Sequence, residues 1–387
     1  MLKITTRYLA SSFIPPFVLG FIFFVAFMIT FYLFRIISLI VNKGVDIMTV
    51  ISMVLNLGIS FFPLATPLAA FFATVFTLGK LSEDSEIIAM RSFGISKIRI
   101  FLPFLLTSLL ISLTIISLHS VAIPKADASF KNTIMKLTSS GMLTSIKSGQ
   151  FFTEIPNVTL FAENVSKDGN NFDKIFLHII DRNKLEQKII FAQKGSLIKI
   201  YTNPWYAPSL RLHLNIGNII KINETGNQVE KILFQEYDFP VFNSEIAMGK
   251  DNKDSMKTNS ELLQSIKEKK INYNEGIVSK KEVGVMLELK KSLYRTQTEL
   301  CVRFVAVPQI LLFVFFGFSL GIKRGRGTGG NNSAKAIVII VCYYILYFYF
   351  ISLAYKASLN PIIAIFGPSL LFFIIALRFY KKLDWID

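Results

Sequence analysis

Long apolar runs and a polar, alternating segment divide this 387-residue chain. Three apolar runs precede an insert of about 175 residues and three follow it. A charge-free run of about 20 residues, rising 1.5 Å per residue, crosses a hydrocarbon core about 30 Å thick. Phe13–Phe34, Ile47–Gly79, Phe101–Ile123, Phe304–Ile322, Ala336–Leu353 and Pro361–Leu377 therefore predict six transmembrane helices in a 3+3 arrangement. The last is short, which puts Asn360 near an interface. Ile47–Gly79 would be about 50 Å long as one helix, so it must tilt, protrude or bend. Pro63 and Pro67 supply sites for a kink. The pattern predicts helical membrane segments over 1–123 and 299–387 with an inserted all-β domain and helical connector over 124–298.

Within the insert, Gln150–Ile155, Val158–Val165, Lys174–Asp181, Lys188–Gln193, Ser196–Tyr201, Arg211–Ile216 and Glu230–Val241 read as strands. Turn chemistry separates them at Pro156-Asn157, Asp168-Gly169-Asn170, Asp181-Arg182-Asn183, Asn203-Pro204 and Thr225-Gly226-Asn227. Short strands without intervening helices predict a sandwich, a jellyroll or an open barrel. A dry core and an apolar groove for a lipid fit the alternation equally. Asn243–Lys257 reads as a loop. Thr258-Asn259-Ser260-Glu261 then forms a capping box that opens a helix to about Lys269. A second helix from about Ser279 runs into the fourth span. Lys267, Lys269, Lys270, Lys280, Lys281, Lys290 and Lys291 give these helices a solvated basic face or a surface for phosphorylated headgroups.

Lysine and arginine set the orientation. Lys3, Arg7, Lys80, Arg91, Lys97, Arg99, Lys323, Arg324, Arg326, Lys335, Arg378, Lys381 and Lys382 fall on one side. The opposite short loops carry only Lys43 and Lys356. The positive-inside rule places both termini in the cytoplasm and the insert outside. The first apolar run lacks a small-residue cleavage site and reads as a retained anchor. The net charge of +16 thus reflects loops facing anionic lipid, not nucleic-acid binding. Odd numbers of spans in each half give the halves inverted topology, as in many transporters, without an internal sequence repeat.

Motifs for chemistry are scarce. His119, His178 and His213 are scattered, and Cys301 and Cys342 lie in or beside spans. Neither a metal site, a disulfide framework nor a cofactor follows. Arg324–Gly330 is glycine-rich but lacks the Lys-Ser/Thr ending of a P-loop and follows a span, not a strand. Few charges fall inside the spans, which argues against ion-coupled transport and leaves an external energy source.

The loop between spans two and three is more informative. Ser82 caps a predicted helix over about 82–94, with Glu83 and Asp84 complementing its dipole. Ile87, Met90 and Phe93 form an apolar edge, and Gly94 sits where a C-terminal stop belongs. Such a helix is either a lever receiving force from a cytoplasmic motor or an element lying on the membrane surface.

Gly79-Lys80-Leu81, Ser85-Glu86 and Gly94-Ile95-Ser96-Lys97 resemble the permease family of the lipopolysaccharide-export ABC transporter, which pairs F-type and G-type subunits. Gly141-Met142-Leu143 with Ser148-Gly149-Gln150-Phe151 resembles the family's lead-in to its outer β domain, and Glu299, Arg303 and Pro308 resemble the start of its fourth span. The resemblance covers essentially the whole chain, and the loop wording is closer to the F-type. It implies a non-catalytic, inner-membrane subunit that extracts lipopolysaccharide using a separate ATPase dimer. Its implied partners are a G-type permease, a periplasmic bridge reached through a jellyroll-like domain, and a single-span adaptor.

By the same resemblance, Glu86 docks on the ATPase with Ser82, Ile87, Met90 and Gly94 around it. Substrate enters sideways between the first span of one subunit and the fifth of its partner, where Arg35, Phe31, Phe34, Tyr344 and Tyr347 are candidate contacts. Arg35 is equally a residue snorkelling to an interface. The aromatics Tyr343, Tyr344, Tyr347, Phe348, Tyr349 and Phe350 either pack, sit at an interface or grip acyl chains. Arg303 pairs with Glu299 one helical turn earlier as a structural contact. A lipid-modifying enzyme and a subunit acting on periplasmic proteins are the competing classes. The first lacks a catalytic cluster, and the second places its outer domain after the first span.

Overall fold

In hydrocarbon, backbone polar groups must be satisfied within the segment, so apolar runs of this length become helices. The computed structural model describes residues 2–43, 46–153, 158–166, 170–181, 186–200, 209–223, 229–242, 254–278, 283–322, 329–381 and 383. Its helices are α1 (Leu2–Lys43), α2 (Ile47–Ser60), α3 (Phe62–Glu83), α4 (Glu86–Ser92), α5 (Lys97–Ser120), α6 (Ala122–Ser145), α7 (Asn259–Val278), α8 (Val283–Gly321), α9 (Gly329–Tyr355) and α10 (Pro361–Lys381). Among the described residues, six stretches are long and apolar enough to span a membrane: Ile4–Phe34 of α1, α3, α5, α8, Lys335–Tyr355 of α9, and α10.

The expected second span is two helices. The break falls at Phe61 (φ −88°, ψ −5°), two residues before Pro63. The Phe61 N–H turns back to the Gly58 carbonyl at 3.1 Å. Pro63 occupies the first turn of α3, where a missing N–H costs nothing. Pro67 lies inside α3, which runs on through it. The third span stops at Ser120, and Val121 (φ −141°, ψ −46°) separates it from α6. Hydropathy alone did not mark α6, because Lys125, Asp127, Lys131 and Lys136 make it polar.

The chain forms two units. The first comprises Met1–Arg35, Val54–Ala128 and Lys253–Asp387; the second comprises Ile36–Met53 and Ser129–Asn252. In the first, α8 is the central helix, packed against α3, α5, α7, α9 and α10. Two glycines let it approach α3. A Cβ on Gly317 would lie 2.8 Å from the Thr74 side chain, and one on Gly321 would lie 3.0 Å from Val75 Cα. Small residues serve this purpose where helices pack in membranes. The Thr258 box is observed in both directions: Thr258 N–H donates to Glu261 Oε2 at 2.8 Å, and Glu261 N–H to Thr258 Oγ1 at 3.4 Å. The loop expected over Asn243–Lys257 is described only from residue 254, and most of the expected turn residues lie outside the described residues.

The second unit holds one antiparallel sheet whose strands follow in chain order: β1 (Phe151–Phe152), β2 (Val158–Val165), β3 (Asn171–Asp181), β4 (Glu186–Ile200), β5 (Ser209–Asn223) and β6 (Val229–Phe242). The two strands expected at Lys188–Gln193 and Ser196–Tyr201 are a single strand up to Ile200, continuous through Gly195. The approach at that glycine is close: a Cβ there would run into the Ile175 side chain and lie 3.2 Å from the His213 carbonyl oxygen. Leu160, Leu177, Ile190, Leu212 and Leu214 are at most 1% exposed and belong to a cluster drawn from this unit alone. Among the described residues, the cluster is formed largely by side chains on one face of this sheet. Its inward side is a packed core.

Candidate functional site

The loop after α3 differs from its expected form. Ser82 is inside α3, its hydroxyl donating to the Leu78 carbonyl at 2.7 Å, and Glu83 ends that helix. Ser82 therefore does not cap the next helix. The reversal is made at Ser85, held at φ 61°, ψ 11° with no side-chain cap bond. Helix α4 then runs for two turns from Glu86. It ends as a Schellman motif: Ile95 N–H bonds the Met90 carbonyl at 3.1 Å, Gly94 N–H bonds the Arg91 carbonyl at 2.9 Å, and Gly94 takes φ +73°.

Only part of the expected apolar edge faces inward. Ile87 is 2% exposed in a cluster with Leu9, Phe13, Leu78, Leu81 and Ile100, and Met90 packs against that cluster. Phe93, placed on the same edge by spacing, is 85% exposed because the helix has ended before it. Ile88 is also exposed. Glu86 accepts a hydrogen bond from the Tyr8 hydroxyl at 3.0 Å. Tyr8 stands 78 positions away, and no local pattern marks it.

The second polar centre surrounds Arg303, 2% exposed on α8. Its guanidinium donates to Asn259 Oδ1 at 2.8 Å, the Lys257 carbonyl at 2.7 Å, the Ser255 carbonyl at 3.3 Å and the His119 carbonyl at 3.5 Å. Glu299, its expected partner, is 3.8 Å away. Main-chain oxygens carry most of the pairing, because the fork of an arginine can hold several at once. Nearby Asp254 is 5% exposed and accepts from Lys257 Nζ at 2.8 Å, Thr296 Oγ1 at 2.6 Å and Lys269 Nζ at 3.2 Å. Burial pushes its carboxyl up, but the bonds from Lys257 and Thr296 and the charges of Lys269 and Lys257 outweigh this and hold it below its usual range. Ser255 Oγ donates to Asp127 Oδ2 at 2.7 Å. Residues 254–259 are thus tied to α6 near its start through Asp127 and to the middle of α8 through Thr296 and Arg303, which also reaches the His119 carbonyl near the end of α5.

The candidate lipid contacts separate into two kinds. Phe31 and Phe34 are 67% and 77% exposed, continuing an outward row with Phe23 and Phe27. The Arg35 side chain lies outside the described residues. On α9, Tyr347 is instead 5% exposed, stacked on Tyr343, whose hydroxyl meets Ser369 Oγ at 2.9 Å. Both belong to the helix core, so Tyr347 is not on the open face. Tyr344 is half-buried against Phe313, and Phe348 and Tyr349 point outward. The least covered spans are the first and the fifth: 6% and 17% of their most apolar stretches are buried, against 56% for α3 and 61% for α8.

On the outward face of the sheet, Phe151, Phe161, Phe176 and Phe191 occupy successive cross-strand positions. Phe161, Phe176 and Phe191 line an open groove of about 530 Å³ with Ile216 and Leu233.

Comparison with known proteins gives two findings. The family model of the lipopolysaccharide export system permeases LptF/LptG matches residues 7–382. The chain is also 30% identical over 144 residues to the lipopolysaccharide export system permease protein LptG of Haemophilus influenzae. That similarity covers 36% of this chain and 35% of the relative, so the chain spans about a third of that protein's length.

Proposed function

From the premise that the chain belongs to the lipopolysaccharide export permease family, we propose that it is a non-catalytic transmembrane subunit of an ATP-driven lipopolysaccharide extractor. The subunit lies in the inner membrane with both termini cytoplasmic. A second permease of the complementary type covers its exposed spans, and a cytoplasmic ATPase dimer docks at α4 through Glu86. The β domain is periplasmic and passes lipid to a bridge, with a single-span adaptor beside it.

The observation that carries this reading is the poor coverage of the first and fifth spans, with Phe31, Phe34, Phe348 and Tyr349 facing outward. In water, exposed apolar area of this extent calls for a partner or lipid. A lateral opening needs two such faces, one from each subunit. Arg35 follows Phe34 in sequence and is suited to a lipid phosphate. The basic loop residues counted above support the orientation.

A photo-crosslinking residue at Phe34, in the complete complex in its host membrane, tests the reading. An ATP-dependent adduct to lipopolysaccharide is the expected result. An assembled, ATP-hydrolysing complex without an adduct would remove the substrate from this helix.

A further inference from the structure

The first span is most deeply buried near its beginning, although contacts with α2 and α3 continue along it at Gly20, Val25, Ile29 and Tyr32. Leu9 is 1% exposed and Phe13 is fully buried, both in the cluster that contains Leu81 and Ile87. Phe13 meets Phe104 edge-on at 5.8 Å. Farther along α1, from Ile22 to Phe34, the large side chains are mostly outward, with Phe21 and Tyr32 touching Phe62 and Phe61. The foot of α1 therefore packs on the corner between α3 and α4, and its far end carries the face assigned above to lipid. At that foot the Tyr8 hydroxyl donates to Glu86 Oε1.

We propose that Tyr8 is a positioning residue for energy coupling: its hydroxyl ties the first span to Glu86, so that displacement of α4 is transmitted along α1. This rests on the reading that α4 is the ATPase-docking helix. A carboxylate is the stronger acceptor for a phenol, and a charge-assisted bond keeps its direction better than an apolar contact. Packing through Leu9 and Ile87 transmits a push. The Tyr8–Glu86 bond adds resistance to sliding. From Tyr8 to Phe34 is about 39 Å of helix, so a tilt of about 5° at the foot moves the far end by about 3 Å. Tyr8 sets how much of the docking movement reaches the span.

The test uses the complete complex, with its partner permease and ATPase, in proteoliposomes containing lipopolysaccharide. ATP hydrolysis, retention of the ATPase and lipid extracted per ATP are measured for Tyr8→Phe, Glu86→Gln and the double variant. Tyr8→Phe is expected to keep the ATPase bound and the ATP KM unchanged. Extraction per ATP falls about fivefold, the scale of one ordinary hydrogen bond at an exposed site. The tyrosine change costs less on the Glu86→Gln background than on the native one, because the glutamine oxygen still accepts the hydroxyl but without its charge; a merely structural tyrosine would cost the same on both. Wild-type extraction by Tyr8→Phe, loss of the ATPase from Tyr8→Phe, or additive losses in the double variant would each overturn the proposal. With a defective Glu86→Ala control, those results leave the docking reading intact. A Glu86→Ala complex that binds ATPase and extracts lipid normally would overturn the docking reading together with the proposal.

Discussion

Thr77 donates its hydroxyl to the Ser12 carbonyl across the α1–α3 contact, at 3.3 Å. Pro16, four residues on from Ser12, has no N–H to close that turn of α1, so the carbonyl is orphaned inside an apolar contact. A threonine from the neighbouring helix replaces the missing donor, as polar side chains do for proline breaks in membrane helices.

Thr77→Val is therefore expected to lower thermal stability by about 1 kcal/mol, and Thr77→Ser to retain most of it. Thermal unfolding of the purified subunit in detergent checks this. Equal melting of all three proteins would mean that Ser12 is satisfied without Thr77.

Replacing Arg303 should be severe. Arg303→Ala leaves the Lys257 carbonyl and Asn259 without their donor, and removing one member of a buried charged network costs about 3–5 kcal/mol. Arg303→Lys keeps the charge but not the fork and falls between. Protease resistance around residues 254–259 is the readout, with early cleavage there expected in the alanine variant.

Asp254 gives the clamp a pH dependence of known sign. Its folded carboxyl lies below the ordinary value of about 3.9. Its contribution is therefore fully present above the unfolded value and is lost as pH falls through the folded one. Stability at neutral pH should be flat in this respect and should drop in acid. Asp254→Asn should remove that part of the acid dependence; an unchanged acid limb in the variant would contradict it.

Ser85 pays a backbone cost for the turn between α3 and α4. A left-handed conformation at a residue with a Cβ costs about 1–2 kcal/mol, so Ser85→Gly should relieve part of it. Ser85→Val should cost at least as much again, because a branched Cβ tolerates this region least. Comparing ATPase retention with melting temperature for both variants separates the helix's stability from its aim.

The spans and the inserted β domain were legible because each rests on a local period, continuous for hydrocarbon and alternating for a half-buried sheet. The details that failed depend on what lies across the fold. The break at Phe61 comes before Pro63 because a proline in a first turn disturbs nothing. Gly195 reads as a strand end but is a close approach to Ile175. Spacing put Phe93 with Ile87 and Met90, yet the Schellman turn at Gly94 ends the helix first. Arg303 does meet Glu299 one turn earlier, at 3.8 Å as spacing predicts, but its nearest acceptors come from residues 257 and 259, which spacing does not reach. Tyr8–Glu86 and Thr77–Ser12 join residues far apart in sequence, beyond the reach of any period.

Helix α8 is also a ruler. Arg303 and Gly321 are 18 residues apart, about 27 Å along a helix, close to the thickness of a hydrocarbon core. At the Gly321 end, glycines bring α8 close to α3; at Arg303, midway along the helix, backbone oxygens surround the guanidinium. Both points are pinned to neighbouring elements, so the stretch between them has little freedom to tilt away a mismatch. Bilayer thickness then becomes a variable the complex feels, and lipids with longer chains would pull the arginine's surroundings into hydrocarbon.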